Sequence, residues 1–82
     1  MTQDIYTLEQ RKKLHDSGKK FLAQIETSGG ELVHLIADNA HHAGVLSKCW
    51  IEKFGANSAA SYRILHNGTL NLIRFFDYRD VA

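Results

Sequence analysis

The dipeptide Asn67-Gly68 separates two segments rich in β-branched and aromatic residues, and it restricts the fold more than any other feature of the sequence. The two segments cover residues 62–66 and 69–76. Asn and Gly are the residues that most readily adopt the positive φ angles of a two-residue hairpin turn. The sequence thus predicts a β-hairpin over about residues 61–76.

The register of this hairpin decides which side chains share a face. A two-residue turn places Leu65 opposite Leu70 and Tyr62 opposite Ile73. The faces then carry Tyr62, Ile64, Ile73 and Phe75 on one side and Leu65, Leu70, Leu72 and Phe76 on the other. A hairpin covered on one side alternates apolar and polar residues. The second apolar face therefore indicates either helices on both sides or contact with another chain.

The first segment of the chain has the pattern of an amphipathic helix. Thr7 and Gln10 have the spacing of a capping box, in which each side chain binds a free backbone N–H group. An apolar stripe follows at helical spacing, consisting of Leu14, Gly18, Phe21, Leu22 and Ile25. The pattern predicts a helix over about residues 8–26.

A second helix is predicted over about residues 29–54. Ser28 and Glu31 repeat the spacing of a capping box, and Gly55 after Phe54 suits a left-handed helix end. Its periodic stretch of 24 residues, from Glu31 to Phe54, would extend ~36 Å as a single helix, more than the ~30 Å breadth of a globule of this size.

The second helix must therefore either break near residues 38–44 or project into a partner. In an alternative interpretation, residues 31–37 form a strand and Asp38 or Asn39 caps a shorter helix, because short apolar runs fit both structures.

Together these elements predict an α+β fold in which two N-terminal α-helices precede a C-terminal β-hairpin and a frayed tail at 77–82. A chain of 82 residues is short for a globular domain, so we expect residues 1–82 to form one domain.

Composition excludes several classes of protein. One cysteine cannot form an intramolecular disulfide framework, and no apolar run approaches the length of a membrane span. The start of the chain does not resemble a secretory signal. We therefore expect a cytoplasmic protein without membrane contact. The net charge of +1 gives no general attraction to nucleic acid.

Two enzyme-like constellations are weak. His34, Asp38 and His41 would share one face of the second helix and are candidate metal ligands, yet they match no known metal motif. Cys49 and His42 would lie on adjacent turns as a thiol–imidazole pair, but no oxyanion donor accompanies them. We expect no catalytic residue and no cofactor, and a metal- or thiol-dependent enzyme remains an alternative.

The basic first segment offers a nucleic-acid alternative. Its candidate phosphate contacts are Arg11, Lys12, Lys19 and Lys20. These charges spread around the predicted helix, which is also typical of a solvated surface. A nucleic-acid-binding regulator is the second hypothesis.

The leading hypothesis is a small non-catalytic protein that binds another macromolecule as a regulator or inhibitor, or that pairs with itself as a homodimer. Asn39 interrupts the apolar stripe of the second helix, where a polar residue often fixes partner choice. The candidate partner-binding residues are Asn39, Trp50, Leu70, Leu72, Arg74 and Phe76.

Overall fold

A computed structural model describes residues 5–81 and shows two helices and four strands in the order α1, β1, β2, α2, β3, β4. Their bounds are Leu8–Asp16 for α1, Phe21–Glu26 for β1, Leu32–Ala37 for β2, Ala40–Phe54 for α2, Ser58–Ile64 for β3 and Leu70–Asp77 for β4. A 3-10 turn over Tyr78–Asp80 follows, where the sequence predicted only a frayed tail.

The four strands form one antiparallel sheet in the order β2-β1-β3-β4. Two hairpins, β1–β2 and β3–β4, therefore join through their first strands, and β2 and β4 are the edges. The α+β class is as predicted, but two helices followed by a single hairpin is wrong: a hairpin separates the two helices.

The first predicted helix is correct only in its first half. The capping box between Thr7 and Gln10 is confirmed, but α1 ends at Asp16. Gly18 has a φ of 94°, and the Lys19 N–H donates to Leu14 O at 2.8 Å, which closes the helix end as in other glycine-terminated helices. Residues after this point form β1, whose apolar residues are buried on both faces of the sheet and so fit helical spacing equally well.

The second predicted helix is also too long, and the alternative interpretation of residues 31–37 is confirmed because β2 occupies them. Asn39 is the N-cap of α2, with its side chain accepting from the His42 N–H at 2.8 Å. The proposed capping box from Ser28 to Glu31 is wrong, since these residues belong to the β1–β2 turn. The helix end at Gly55 is confirmed by its φ of 68°.

α2 packs against one face of the sheet, which we call the α2 face. Its core consists of Ala23, Ile25, Ala59 and Phe76 from the strands together with Ile51 and Ala56 from α2 and the segment after it. Val33, Leu35, Leu46, Trp50 and Val81 extend this core at its margin. The apolar packing of the molecule is thus concentrated between α2 and the sheet.

The N-terminal segment and α1 cover part of the opposite face, the α1 face. Arg11 Nε donates to Gly68 O at 2.6 Å, and Arg11 Nη1 donates to Tyr6 O at 2.7 Å. Gly68 lies so close to α1 that a Cβ there would be 2.6 Å from Leu8 O. The β3–β4 turn is therefore the contact point for the start of α1.

Candidate functional site

β4 is an edge strand that presents much of its length to solvent. The five consecutive residues 71–75 are all exposed. Leu72, Ile73 and Phe75 are 54%, 44% and 56% exposed, respectively. An unpaired edge also leaves N–H and C=O groups without ladder partners. Within residues 5–81, no strand covers the outer side of β4.

The register of the β3–β4 hairpin differs from the sequence prediction. Ile64 pairs with Leu70 and Tyr62 with Leu72, because the turn has three residues rather than two. The Leu65 N–H donates to Thr69 O at 2.9 Å and the Gly68 N–H to Leu65 O at 2.8 Å. Only Gly68 in this turn has positive φ, as in a type I turn followed by a left-handed glycine.

β4 also contains a β-bulge. Tyr62 pairs with Leu72, but Ser61 pairs with Arg74, so that Ile73 is the extra residue. Directly paired residues share a face, and Arg74 therefore lies on the α2 face beside Ile73. The bulge changes the alternation and places two adjacent side chains against the same groove.

That groove runs between α2 and β4 and encloses about 200 Å³. Its walls are formed by Ala40, His41, Gly44, Val45 and Lys48 of α2 and by Ser61, Ile73, Arg74 and Phe76 of the sheet. Gly44 lies at its centre, where a Cβ would be 3.6 Å from Phe76 Cζ. The small residues Ala40 and Gly44 keep the helix wall low beside β4.

The rim of the groove is basic. Lys48 Nζ lies 5.8 Å and the Arg74 guanidinium carbon 4.8 Å from the centre of the Phe76 ring. Among residues 5–81, the carboxylate that forms an ion pair with them is that of Asp80, whose Oδ1 is 4.0 Å from Arg74 Nη2. The groove thus combines an apolar floor with cations at its rim.

The α1 face of β4 is apolar and open as well. Phe75 lines a shallow depression of about 160 Å³ together with Tyr62, Ala60 and Leu32. Tyr62 pairs with Leu72, which adds a second exposed apolar side chain to this side. Both faces of one edge strand therefore offer apolar contacts to an additional strand.

β2 is the other edge strand, and the N-terminal segment contacts it on the α1 face. The His34 side chain lies on the α1 face, where Nδ1 accepts from the Tyr6 N–H at 3.0 Å and Nε2 contacts Gln24 Oε1 at 2.8 Å. These partners require the neutral tautomer that carries its proton on Nε2. Burial lowers the pKa of His34 from 6.5 to about 4, and the positive charge of Arg11 acts in the same direction.

The predicted partner-binding residues do not share one environment. Leu72 and Arg74 are exposed on β4, and Leu70 is half-buried at the start of this strand. Phe76 is 2% exposed and belongs to the core, so it is the floor of the groove rather than a free contact. Trp50 packs at the margin of the core against Phe54, with ring centres 4.7 Å apart. Asn39 caps α2, which explains its polarity without a partner.

The predicted metal ligands do not share a helix face. His34 lies on β2, Asp38 in the following connection and His41 on α2. Among residues 5–81, no three His, Cys, Asp or Glu side chains are grouped as metal ligands would be. Within residues 5–81 no hydrogen bond joins His42 to Cys49, and His42 Nδ1 accepts from the Asp38 N–H at 3.0 Å.

The predicted phosphate-contacting residues are also divided. Arg11 uses its guanidinium to hold Tyr6 and Gly68, and Lys12 Nζ is 3.2 Å from Glu9 Oε1. Lys19 and Lys20 are exposed in the connection between α1 and β1. The four do not form one basic helix face, since the helix ends before Lys19.

The helix wall of the groove has no local signal in the sequence. Val45 and Lys48 become part of a site only because α2 starts after β2, which changes the orientation of the helix relative to the hairpin. Ile73 and Phe75 were recognised as apolar hairpin residues, but a two-residue turn placed them on one face. The signal that identifies the observed register is Gly68 as the third residue of the turn.

No protein-family model, curated protein or solved structure matches this chain. Neither α1 nor α2 has the length and apolar character needed to cross a membrane, and the same holds for any helix in residues 5–81.

Proposed function

We propose that this protein is a non-catalytic binding module that holds an extended segment of another protein along the outer edge of β4. The observation that carries the proposal is the exposure of Leu72, Ile73 and Phe75 on an unpaired edge strand. Binding at this edge would make the module a regulator or inhibitor of the protein that supplies the segment.

Strand addition suits the geometry of β4. The backbone groups of an edge strand provide affinity, and pockets on the two faces select alternate side chains of the added strand. One set would enter the groove between α2 and β4, with Val45 and Ile73 at its sides. The other set would contact Leu72 and Phe75 on the α1 face. The bulge at Ile73 limits regular pairing to the parts of the strand on either side of it.

Charge indicates the chemistry of the partner segment. Lys48, Arg74 and His41 line the groove, and within residues 5–81 Asp80 is the carboxylate that forms an ion pair with one of them. An acidic side chain pointing into the groove would thus meet complementary charge. We propose an extended segment in which acidic residues face the α2 side and apolar residues face Leu72 and Phe75.

A second copy of the chain fits this edge less well. When two β4 strands pair antiparallel, each residue must oppose a residue on the same face of the other copy. The bulge leaves one register that meets this condition along the strand, and it places Ile73 opposite Arg74 of the other copy. The two Arg74 side chains then become diagonal neighbours on the same face, where like charges destabilise pairing. Charge therefore favours a different, acidic segment over homodimerisation.

Selection from a library of random linear peptides tests the proposal. We expect enrichment of sequences that alternate acidic and apolar residues, with fluorescence anisotropy showing binding to the full chain. Ile73→Asp places a carboxylate in the groove and is expected to weaken binding by about tenfold or more, equivalent to ~1.4 kcal/mol.

Phe54→Asp is the matched control, because Phe54 is an exposed apolar residue on α2 outside the groove. Melting curves of both variants separate loss of binding from loss of folding. Equal affinity of the selected peptides for the wild-type and Ile73→Asp proteins would refute the β4 site. Sedimentation as a dimer at micromolar concentration that Ile73→Asp converts to a monomer would assign the edge to a second copy instead.

A further inference from the structure

A second concave site, an open depression of about 360 Å³, lies at the end of the sheet where β1 begins and β3 ends. It is lined by His15, Lys20, Arg63 and His66 around Phe21, Ile64 and Leu65. These residues come from α1, β1 and the segment before it, β3 and the β3–β4 turn. The fold thus brings together four nitrogen-bearing side chains from two parts of the chain that are distant in sequence.

The positive charge of this pocket is largely uncompensated among residues 5–81. Asp16 Oδ1 is 3.9 Å from His15 Nδ1, but the Asp16 side chain is 80% exposed and lies outside the lining. Lys20, Arg63 and His66 form no ion pair with any described carboxylate. The Arg63 guanidinium carbon lies 5.5 Å from the centre of the Phe21 ring, which supports the side chain while leaving its N–H donors available.

We infer that this pocket binds a phosphate group. An arginine fork donates paired hydrogen bonds to a phosphate, and a lysine ammonium adds a charged donor. Histidine side chains supply further donors when they are protonated. The apolar floor of Phe21, Ile64 and Leu65 excludes water from one side, which strengthens charged hydrogen bonds. The phosphate belongs either to a small phosphorylated molecule or to the backbone of a nucleic acid.

This pocket and the β4 site are independent. They share no lining residue, so that failure of peptide binding at β4 leaves the phosphate site intact and the reverse also holds. Of the basic residues first considered for nucleic acid, only Lys20 lines the pocket. The inference therefore rests on a tertiary cluster and does not depend on a basic helix.

Two-dimensional NMR titration of the full chain with inorganic phosphate at low ionic strength provides the test. We expect the amide signals of Lys20, Arg63 and His66 to shift along a saturating curve. The double variant Lys20→Gln/Arg63→Gln should weaken binding by about tenfold or more. The double variant Lys13→Gln/Lys53→Gln removes the same charge at exposed positions outside the pocket and should change the affinity little.

A second titration identifies the source of the phosphate. A short single-stranded oligonucleotide that binds much more tightly than inorganic phosphate, at the same residues, assigns the pocket to nucleic acid. Equal or weaker binding of the oligonucleotide assigns it to a small phosphorylated molecule. Shifts that remain linear in phosphate concentration, or equal losses in the two double variants, would overturn the inference because they indicate diffuse surface charge.

Discussion

The two hairpins of this protein have the same turn but end in very different edge strands. In the first turn the Thr27 N–H donates to Glu31 O at 2.8 Å and the Gly30 N–H to Thr27 O at 2.9 Å. Leu65, Gly68 and Thr69 repeat both bonds in the second turn. Gly30 and Gly68 have φ angles of 82° and 85°. The geometry of the turns therefore does not distinguish the two hairpins.

The two edge strands differ in how much of their surface is buried by the rest of the chain. None of the six residues of β2 is exposed, whereas five consecutive residues of β4 are. β2 is enclosed because Tyr6 contacts His34 on one face and α2 packs over Val33 and Leu35 on the other. α2 contacts β4 near Phe76, where Gly44 and Lys48 approach the ring, but residues 71–75 stay exposed. The comparison shows that the rest of the chain, and not the turn, decides how much of each edge strand is exposed.

The largest difference is expected when the two turn glycines are replaced. Gly30→Ala should destabilise the protein by about 1 kcal/mol, since alanine is strained at positive φ and the site has open space. Gly68→Ala adds a clash with Leu8 O and should cost roughly 3 kcal/mol or more. Urea unfolding measures both values. Equal losses would show that α1 does not press against the second turn.

The next effect concerns pH and the cover of β2. His34 is 6% exposed and its pKa falls from 6.5 to about 4 on folding, so the unfolded chain binds more protons between these values. The contribution of neutral His34 to the free energy of unfolding is fully present above pH 6.5. It decreases as pH falls toward 4, by at most about 3 kcal/mol. Protonated Nδ1 would also face the Tyr6 N–H donor. Denaturant unfolding across this range measures the loss.

His34→Gln should flatten this part of the pH profile, because it removes the group whose pKa falls on folding. A profile with the same slope in the wild-type and variant proteins would show that His34 does not control this loss of stability. Hydrogen exchange at Tyr6 gives a local measurement of the same event, because its amide hydrogen is the one bound to His34.

A smaller effect is expected at the connection that carries the chain from β2 into α2. Asn39→Ala removes the side-chain acceptor of the His42 N–H and should cost about 1 kcal/mol. Asn39→Ser retains a capping oxygen and should recover most of this loss. Thermal unfolding tests both variants. Undiminished stability of Asn39→Ala would show that the cap is not needed to start α2.

The smallest effect should be found in the side chains that support the two turns. Thr27 Oγ1 accepts from the Glu31 N–H at 3.2 Å, and Asn67 Oδ1 accepts from the Thr69 N–H at 3.0 Å. Thr27→Val and Asn67→Ala should each cost about 0.5–1 kcal/mol, because these hydrogen bonds are largely replaced by water. A much larger loss at either position would show that one turn depends on its side chain.

The sequence predicted local features, such as helix ends and turns, better than it predicted how the elements are arranged in the fold. The caps at Thr7 and Gly55 and the existence of the second hairpin are properties of a few adjacent residues, and all three are confirmed. β1 was mistaken for helix because Leu22, Ala23 and Ile25 are all fully buried. A strand covered on both faces lacks the alternation that would reveal it.

The candidate site was predictable only in part for the same reason. Exposed Leu72 and Arg74 were among the predicted partner-binding residues, but the groove also needs Val45 and Lys48 at a particular helix orientation. That orientation depends on the break at Asn39, which sequence alone left as one of two interpretations. The phosphate pocket joins His15 to His66, and no local pattern indicates such a contact.

The contacts of Arg11 and Tyr6 have a consequence for the order of folding. The bond from Arg11 to Gly68 spans 57 residues, and that from Tyr6 to His34 spans 28. Closing such long loops is entropically costly until the partners are already fixed in place. The segment that contains Tyr6 and Arg11 should therefore dock after both hairpins have joined into one sheet. It would be the last part of the described chain to fold and the first to unfold.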